Sequence, residues 1–230
     1  MGELKKPYVI LNAAMSLDGK IATRLGDSEL SSPEDWERVH RLRCEVDGIL
    51  VGVNTILVDD PKITVRCDRP IVKVVADSMA RTPPTARLIT HRGKNPVLIA
   101  VGGMAPEYRV KALREAGAEV FKTGEERRVN LRRLMEELAS RGVKRLLVEG
   151  GGSLNWSLFK EGLIDEVQVA ISPVIIGGRD AVSLVEGEGF GSIGEAQRLK
   201  LLGVEKAGYN LVLKYKCVAV SYTHLRAHET

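Results

Sequence analysis

The feature that most constrains the fold is an alternation. Short apolar runs rich in Val, Ile and Leu, at 8–13, 48–53, 71–76, 96–101, 119–122, 145–149 and 166–171, take turns with stretches of helical spacing. A helix opens at Ser32-Pro33-Glu34-Asp35, with a capping serine, proline at the first helical position and acids in the first turn. Another covers 106–116 and stops at Gly117. A third is capped by Asn130, carries Leu131, Leu134, Met135 and Leu138 on one face, and ends at Gly142; a short one follows over 153–160. Strand and helix in turn predict a parallel sheet, because a crossover helix returns the chain to the start of the next parallel strand. The run 199–216 reads as a closing hairpin that turns at Ala207-Gly208. The expected class is therefore α/β.

No Pro/Gly/Ser-rich linker or repeat breaks the pattern, so a single domain is expected over 1–216. The closing SYTHLRAHET continues no period, and 217–230 is expected to be a tail that is foreign at least from 221. The net charge is +4, but acids and bases are interspersed and aromatics are only 4% of residues. That favours a small anionic ligand over nucleic acid. A charged-then-apolar leader is absent, as is any run of about 18 apolar residues; no membrane partner is expected. Cys44, Cys67 and Cys217 form no CxxC or Cys/His cluster, so neither a disulfide framework nor a metal site is expected, and a reducing cytoplasm fits.

Three segments carry groups suited to chemistry. In VEGGGSL, 148–154, three glycines lie between a strand end and a helix start, where backbone N–H groups approach an anion such as a pyrophosphate. The other reading is a tight turn; Glu149, at the C-terminal end of a parallel strand, favours a ligand site. Arg43 shares a helix stripe with Trp36, Val39 and Val46, so it is expected to be buried with a partner. That partner is a structural carboxylate, the commoner case, or a substrate phosphate. In VGVNTILVDDPKITVR, 51–66, Thr55 offers a donor to a ligand oxygen, Asp59 an acceptor for a sugar hydroxyl or amide, and Arg66 a phosphate clamp; a polar loop turning at Pro61 is the plainer alternative. Ser78 and Arg81, after the run 71–76, are placed to face a phosphate.

Taken together, the segments NAAMSLDGKIA (12–22), VGVNTILVDDPKITVR, VADSMARTP (75–83), VEGGGSL and SPVIIGGRDAVSL (172–184) resemble one family in order and spacing. They are similar to the riboflavin-biosynthesis reductases, the RibD C-terminal-like family, in its stand-alone archaeal form. The resemblance implies a dihydrofolate reductase-like twisted mixed sheet flanked by helices, a homodimer, and NADPH as cofactor with NADH sometimes accepted. It implies dinucleotide contacts at Ala14, Thr55, Asp59, Ser78, Gly151, Gly152, Ser153 and Leu154. Substrate contacts are implied at Asp27, Arg43, Ile63, Arg66 and Glu149, with Glu149 catalytic. The 51–66 segment would then hold cofactor with its first half and sugar phosphate with its second.

The implied reaction is reduction of the ribosylamino group of 2,5-diamino-6-ribosylamino-4(3H)-pyrimidinone 5′-phosphate to a ribitylamino group. The rival reading is the bacterial reductase of the deaminated pyrimidinedione. Bacterial relatives carry lysine where this chain has Asn12, which counts against that rival. A non-catalytic dinucleotide-binding module is a further alternative. Asp18 in SLDGK reads as a turn residue rather than an acid.

Overall fold

The computed structural model describes residues 4–218. The chain runs β1 (Tyr8–Ser16), α1 (Pro33–Cys44), β2 (Gly48–Gly52), α2 (Val53–Asp59), β3 (Val72–Ala76), α3 (Arg87–Thr90), β4 (Val97–Val101) and α4 (Glu107–Glu115). It continues with β5 (Glu119–Lys122), α5 (Leu131–Ser140), β6 (Arg145–Val148), α6 (Gly152–Lys160), β7 (Glu166–Ser172), β8 (Arg198–Ala207) and β9 (Asn210–Val218). The strands form one nine-stranded sheet in the order β5-β4-β3-β2-β6-β1-β7-β9-β8. Every pairing from β5 to β7 is parallel; β9 is antiparallel to both β7 and β8.

Side chains leave successive strand positions on opposite faces, and the core divides accordingly. Ile10, Ile49, Val51, Val75 and Ile99 pack with Leu42 of α1, Ile56 of α2, Leu88 of α3 and Val110 of α4. Their neighbours Val9, Leu11, Leu50, Val74 and Leu98 pack with Leu134, Met135 and Leu138 of α5 and Leu158 of α6 on the other face. Burial on both faces explains why these strands read as continuous apolar runs.

The expected elements are present, with the ends of several shifted by a few residues. Two helices were not anticipated. The segment after β2 is read as a loop from its polar residues, yet it forms α2, whose N-cap Gly52 gives no side-chain hydrogen bond and so no start signal. Only Val53 and Ile56 of α2 are buried, one contact stripe too short to show a period. The single turn α3 lacks a cap signal for the same reason. The tail boundary also moves, since Cys217 and Val218 belong to β9; the rest of that expected tail lies outside the described residues.

Cys44 and Cys67 correct the cysteine reading, for they are joined by a disulfide with S–S 2.07 Å. Their separation of 23 residues matches no motif. The bond exists because the last turn of α1 and the connection after α2 converge beside β2, a proximity that only the tertiary fold creates. Cysteine usage therefore no longer argues for a reducing compartment. Among the described residues, no helix is long and apolar enough to cross a membrane.

Candidate active site

The order of the strands sets the position of the site. From β2 the chain winds outward through β3, β4 and β5, then returns to insert β6 between β2 and β1 before continuing to β7. Open parallel sheets bind ligands beyond the carboxyl ends of strands at such a reversal. Here the segments after β1, β2, β3 and β6 line a cleft of about 1460 Å³. Single small-molecule pockets occupy roughly 300–1,000 Å³, so this cleft has room for two ligands side by side.

Glu149 follows β6 directly, its N–H donating to the Leu50 carbonyl at 3.0 Å. Arg43 Nε donates to its Oε1 at 2.7 Å and Arg43 Nη2 to its Oε2 at 2.8 Å, while Arg43 Nη1 reaches the Thr64 carbonyl at 2.9 Å. The partner predicted for the buried arginine is thus a carboxylate, in the bidentate geometry that guanidinium favours. Burial pulls the Arg43 pKa down, but the charge and hydrogen bonds of Glu149 outweigh it and hold the group above its ordinary value. The guanidinium also lies 5.9 Å from the Trp36 ring centroid. Trp36, expected within the buried stripe, is 47% exposed and forms part of the cleft wall.

Beside this pair, Leu11 of β1 aligns with Val148 of β6, which brings Asn12 next to Glu149. Arg38 Nη2 donates to Asn12 Oδ1 at 2.8 Å, with Nη1 on Gln168 Oε1 and Nε on Asp35 Oδ1. Because a guanidinium only donates, this contact orients the Asn12 amide and leaves its nitrogen for the cleft it lines.

The glycine loop faces them. Gly150 and Gly151 have φ of +98° and +94°, a region that favours glycine, and a Cβ on Gly152 would lie 2.6 Å from the Ser183 carbonyl oxygen. The α6 N-terminus has no side-chain cap, so no capping side chain takes its first N–H groups. A Cβ on Gly151 would stand 3.6 Å from Thr55 Oγ1, which places the glycine loop against the start of α2. Glu186 approaches from the other side, with Oε2 3.4 Å from Ser153 Oγ.

Ala14, Ile63, Asp59, Ser78 and Leu154 also line the cleft. Partial burial raises the Asp59 carboxyl above its ordinary value. Ser78 Oγ accepts from the Val129 N–H at 3.1 Å. Ile63 has φ of +47°, unusual for a β-branched residue. Two expected residues are not part of the wall: Arg66 pairs with Glu37 at 2.9 Å on the surface, and Asp27 caps the Glu29 N–H. Arg81 lines the cleft and donates to Asn54 Oδ1 at 3.2 Å. Arg128 and Glu186 also line it, though neither stands out in the sequence: Arg128 lies in a charged run that reads as a solvated face, and Glu186 in a glycine-rich stretch without a motif. Asp18 behaves as the turn residue expected, accepting from Ser16 Oγ and from the Ile176 and Gly177 N–H groups, which hold its carboxyl down to about 2.

The model of the RibD C-terminal domain family matches residues 7–213. The 2,5-diamino-6-ribosylamino-4(3H)-pyrimidinone 5′-phosphate reductase of Methanothermobacter thermautotrophicus is 50% identical over 216 residues, covering 91% of this chain and 98% of that protein. The reductase of the same name from Archaeoglobus fulgidus is 41% identical over 198 residues, covering 80% and 89%. Among solved structures, RibD of Acinetobacter baumannii superposes with a TM-score of 0.78 at 23% identity, over 93% of this chain and 58% of that one. This chain therefore spans little more than half of that RibD, and the likeness bears on fold: the mixed sheet is of the expected dihydrofolate reductase-like type. By the match over nearly its whole length and by these relatives, the chain belongs to the RibD C-terminal domain family.

Proposed function

We propose that this protein reduces 2,5-diamino-6-ribosylamino-4(3H)-pyrimidinone 5′-phosphate to its ribitylamino product with NADPH, as a cytoplasmic enzyme of riboflavin biosynthesis. The observation that carries the reading is the Glu149–Arg43 pair at a strand reversal, opposite a glycine loop in a cleft with room for two ligands. The shared activity name of the two archaeal relatives supports the substrate.

The residues on one side of the cleft fit a dinucleotide. The uncapped N–H groups at Gly152 and Ser153 suit a pyrophosphate, and Thr55 beside Gly151 adds a hydroxyl donor. Ala14, Asp59, Ser78 and Leu154 complete that side, and Arg81 and Arg128, which also line the cleft, would supply the positive charge for the additional phosphate that distinguishes NADPH from NADH. Bound there, the dinucleotide supplies the hydride.

The other side orients the substrate. Both Glu149 oxygens already accept from Arg43, yet each retains a lone pair for an amino or hydroxyl donor of the substrate. Arg43 thereby fixes Glu149 rather than serving as a free phosphate clamp. Arg66 is better suited to the phosphate: its pair with Glu37 is 57% and 60% exposed, and such pairs contribute only about 0–1 kcal/mol, so an anion exchanges for Glu37 readily. Ile63 packs beneath the substrate and Asp27 stands at the rim. The chain's task is to hold the sugar C1′ in line with the donor, since a near-attack geometry removes much of the entropic part of the barrier.

A homodimer accompanies this reading. Leu199, Leu201, Val204 and Leu211 are exposed on the β8–β9 hairpin at the sheet edge, an apolar face that a second copy would cover.

The test is loss of nicotinamide absorbance with NADPH and the diamino compound, the deaminated pyrimidinedione being run in parallel. Oxidation with the diamino compound is the expected result. Preference for the deaminated compound would move the protein to the bacterial order of steps, and no oxidation with either would refute the reductase reading.

A further inference from the structure

Lys73 is the one lysine of β3 and is 2% exposed. It is flanked on the adjacent strands by Ile49 and Val97, both part of the apolar layer under α1 to α4. Its Nζ donates to the Lys62 carbonyl at 2.8 Å, and no carboxylate pairs with it among the described residues. Burial first, and then the nearby charge of Arg43, push its pKa down. A buried amine without a carboxylate is unfavourable in an apolar layer, so its position asks for a reason beyond packing.

The Lys62 carbonyl belongs to the peptide that precedes Ile63, the β-branched residue held at φ +47°. Such a conformation persists only when its surroundings over-determine it. Residues 60–71 contain no helix or strand of their own. Lys73 holds the peptide before Ile63, Arg43 Nη1 holds the Thr64 carbonyl, and Cys67 is tied to Cys44. Ile63 itself is buried in the cleft wall that also includes Arg43 and Glu149.

We propose that Lys73 is a positioning residue for the substrate half of the cleft: anchored on the Lys62 carbonyl, it keeps Ile63 in its left-handed conformation and so sets Ile63 and the Thr64 carbonyl against Arg43 and Glu149. The kinetic part of this proposal rests on the reductase reading; the clamp itself does not. Without the Lys73 amine, the peptide before Ile63 rotates, Ile63 relaxes to an extended conformation, and the Thr64 carbonyl leaves Arg43. The cofactor side, built on α2 and α6, is untouched.

Lys73→Met tests this, because methionine fills the same channel without the amine. Lys73→Leu repeats the test with a different apolar shape. Trypsin cleavage after Lys62 reads the clamp directly, since the carbonyl that Lys73 holds is the scissile one; cleavage is expected to accelerate about tenfold. The substrate KM is expected to rise about tenfold, the NADPH Kd to stay within about twofold, and Tm to be equal or higher. Cleavage at the wild-type rate, an unchanged substrate KM, or an NADPH Kd that rises in step with KM would overturn the proposal. So would a fall in Tm with cleavage accelerating at every site, which marks a core residue and nothing more. If the wild type turns over no substrate, the reductase reading fails by itself, and cleavage after Lys62 still decides the clamp.

Discussion

Arg43 and Glu149 hold each other before any ligand arrives, and this determines what their substitution does. In Glu149→Gln one oxygen still accepts from Arg43 but the charge is gone. The expected loss in kcat/KM is about 100-fold, with a stability loss of about 3 kcal/mol because Arg43 is left uncompensated; steady-state kinetics and denaturant unfolding separate the two. The glycine loop calls for a different kind of substitution. At Gly151 the φ of +94° makes any side chain a backbone perturbation as well. Ser153→Asp leaves the backbone alone and puts a negative charge at the α6 N-terminus, which favours the helix but repels a pyrophosphate. The NADPH Kd is expected to rise about tenfold or more while Tm changes little, Glu186 nearby offsetting the helical gain; fluorescence titration and a thermal melt provide the check. Asp18 gives the pH dependence. Its folded pKa of about 2 lies below the ordinary 3.8, so it stabilises the fold fully above pH 3.8, and this contribution is lost as pH falls toward 2. Asp18→Asn should therefore be less stable than wild type at pH 6 and match it below pH 2 in acid unfolding curves.

At the scale of elements, the connection from α2 to β3 is the part whose order depends on tertiary contacts alone. The Cys44–Cys67 bond closes a span of 23 residues around β2 and α2. In the loop-closure account such a bond contributes about 3 kcal/mol, so reduction is expected to lower Tm by about 10 °C in a chain of this size. Calorimetry with and without a dithiol measures this; a Cys44→Ser/Cys67→Ser double variant should melt at the reduced temperature and ignore the dithiol. By contrast, α5 is specified locally: Asn130 Oδ1 accepts from the Arg133 N–H at 3.0 Å, and the buried face follows the helical period. Residues 33–44 likewise form a helix because Ser32 Oγ accepts from the Asp35 N–H and Pro33 starts the first turn. The sequence shows such helices plainly, whereas α2 and α3, short and without side-chain caps, are visible only once their tertiary neighbours are placed.

At the scale of the whole molecule, the sheet ends differently on its two sides. β5 is a short strand at one edge, while at the other β8 extends over Arg198–Ala207 with most of its residues exposed. If a second copy covers this hairpin, Leu201→Glu with Val204→Glu should convert the dimer to monomer in light scattering coupled to size exclusion. A wild type that is itself monomeric at micromolar concentration would refute the dimer.

The sequence by itself determined the strand–helix alternation, the parallel sheet it implies, the closing hairpin and the glycine loop beside Glu149. Each depends on period, capping or turn chemistry within a few residues, and such signals survive without the rest of the chain. It also predicted that a buried Arg43 must have a partner, because a desolvated guanidinium is unfavourable alone, but it left that partner open. Only the tertiary structure decided that Glu149 fills the role, that Cys67 reaches Cys44, that Lys73 grips the Lys62 carbonyl, and that Arg66 faces Glu37 instead of the cleft wall. The last three of these pairs lie within residues 37–73, where the connection after α2 meets α1 and β3; Glu149, 106 residues from Arg43, reaches it because β6 returns to lie between β1 and β2. No local pattern encodes that return; it follows from which strand edges remain to be paired and which apolar faces remain to be buried.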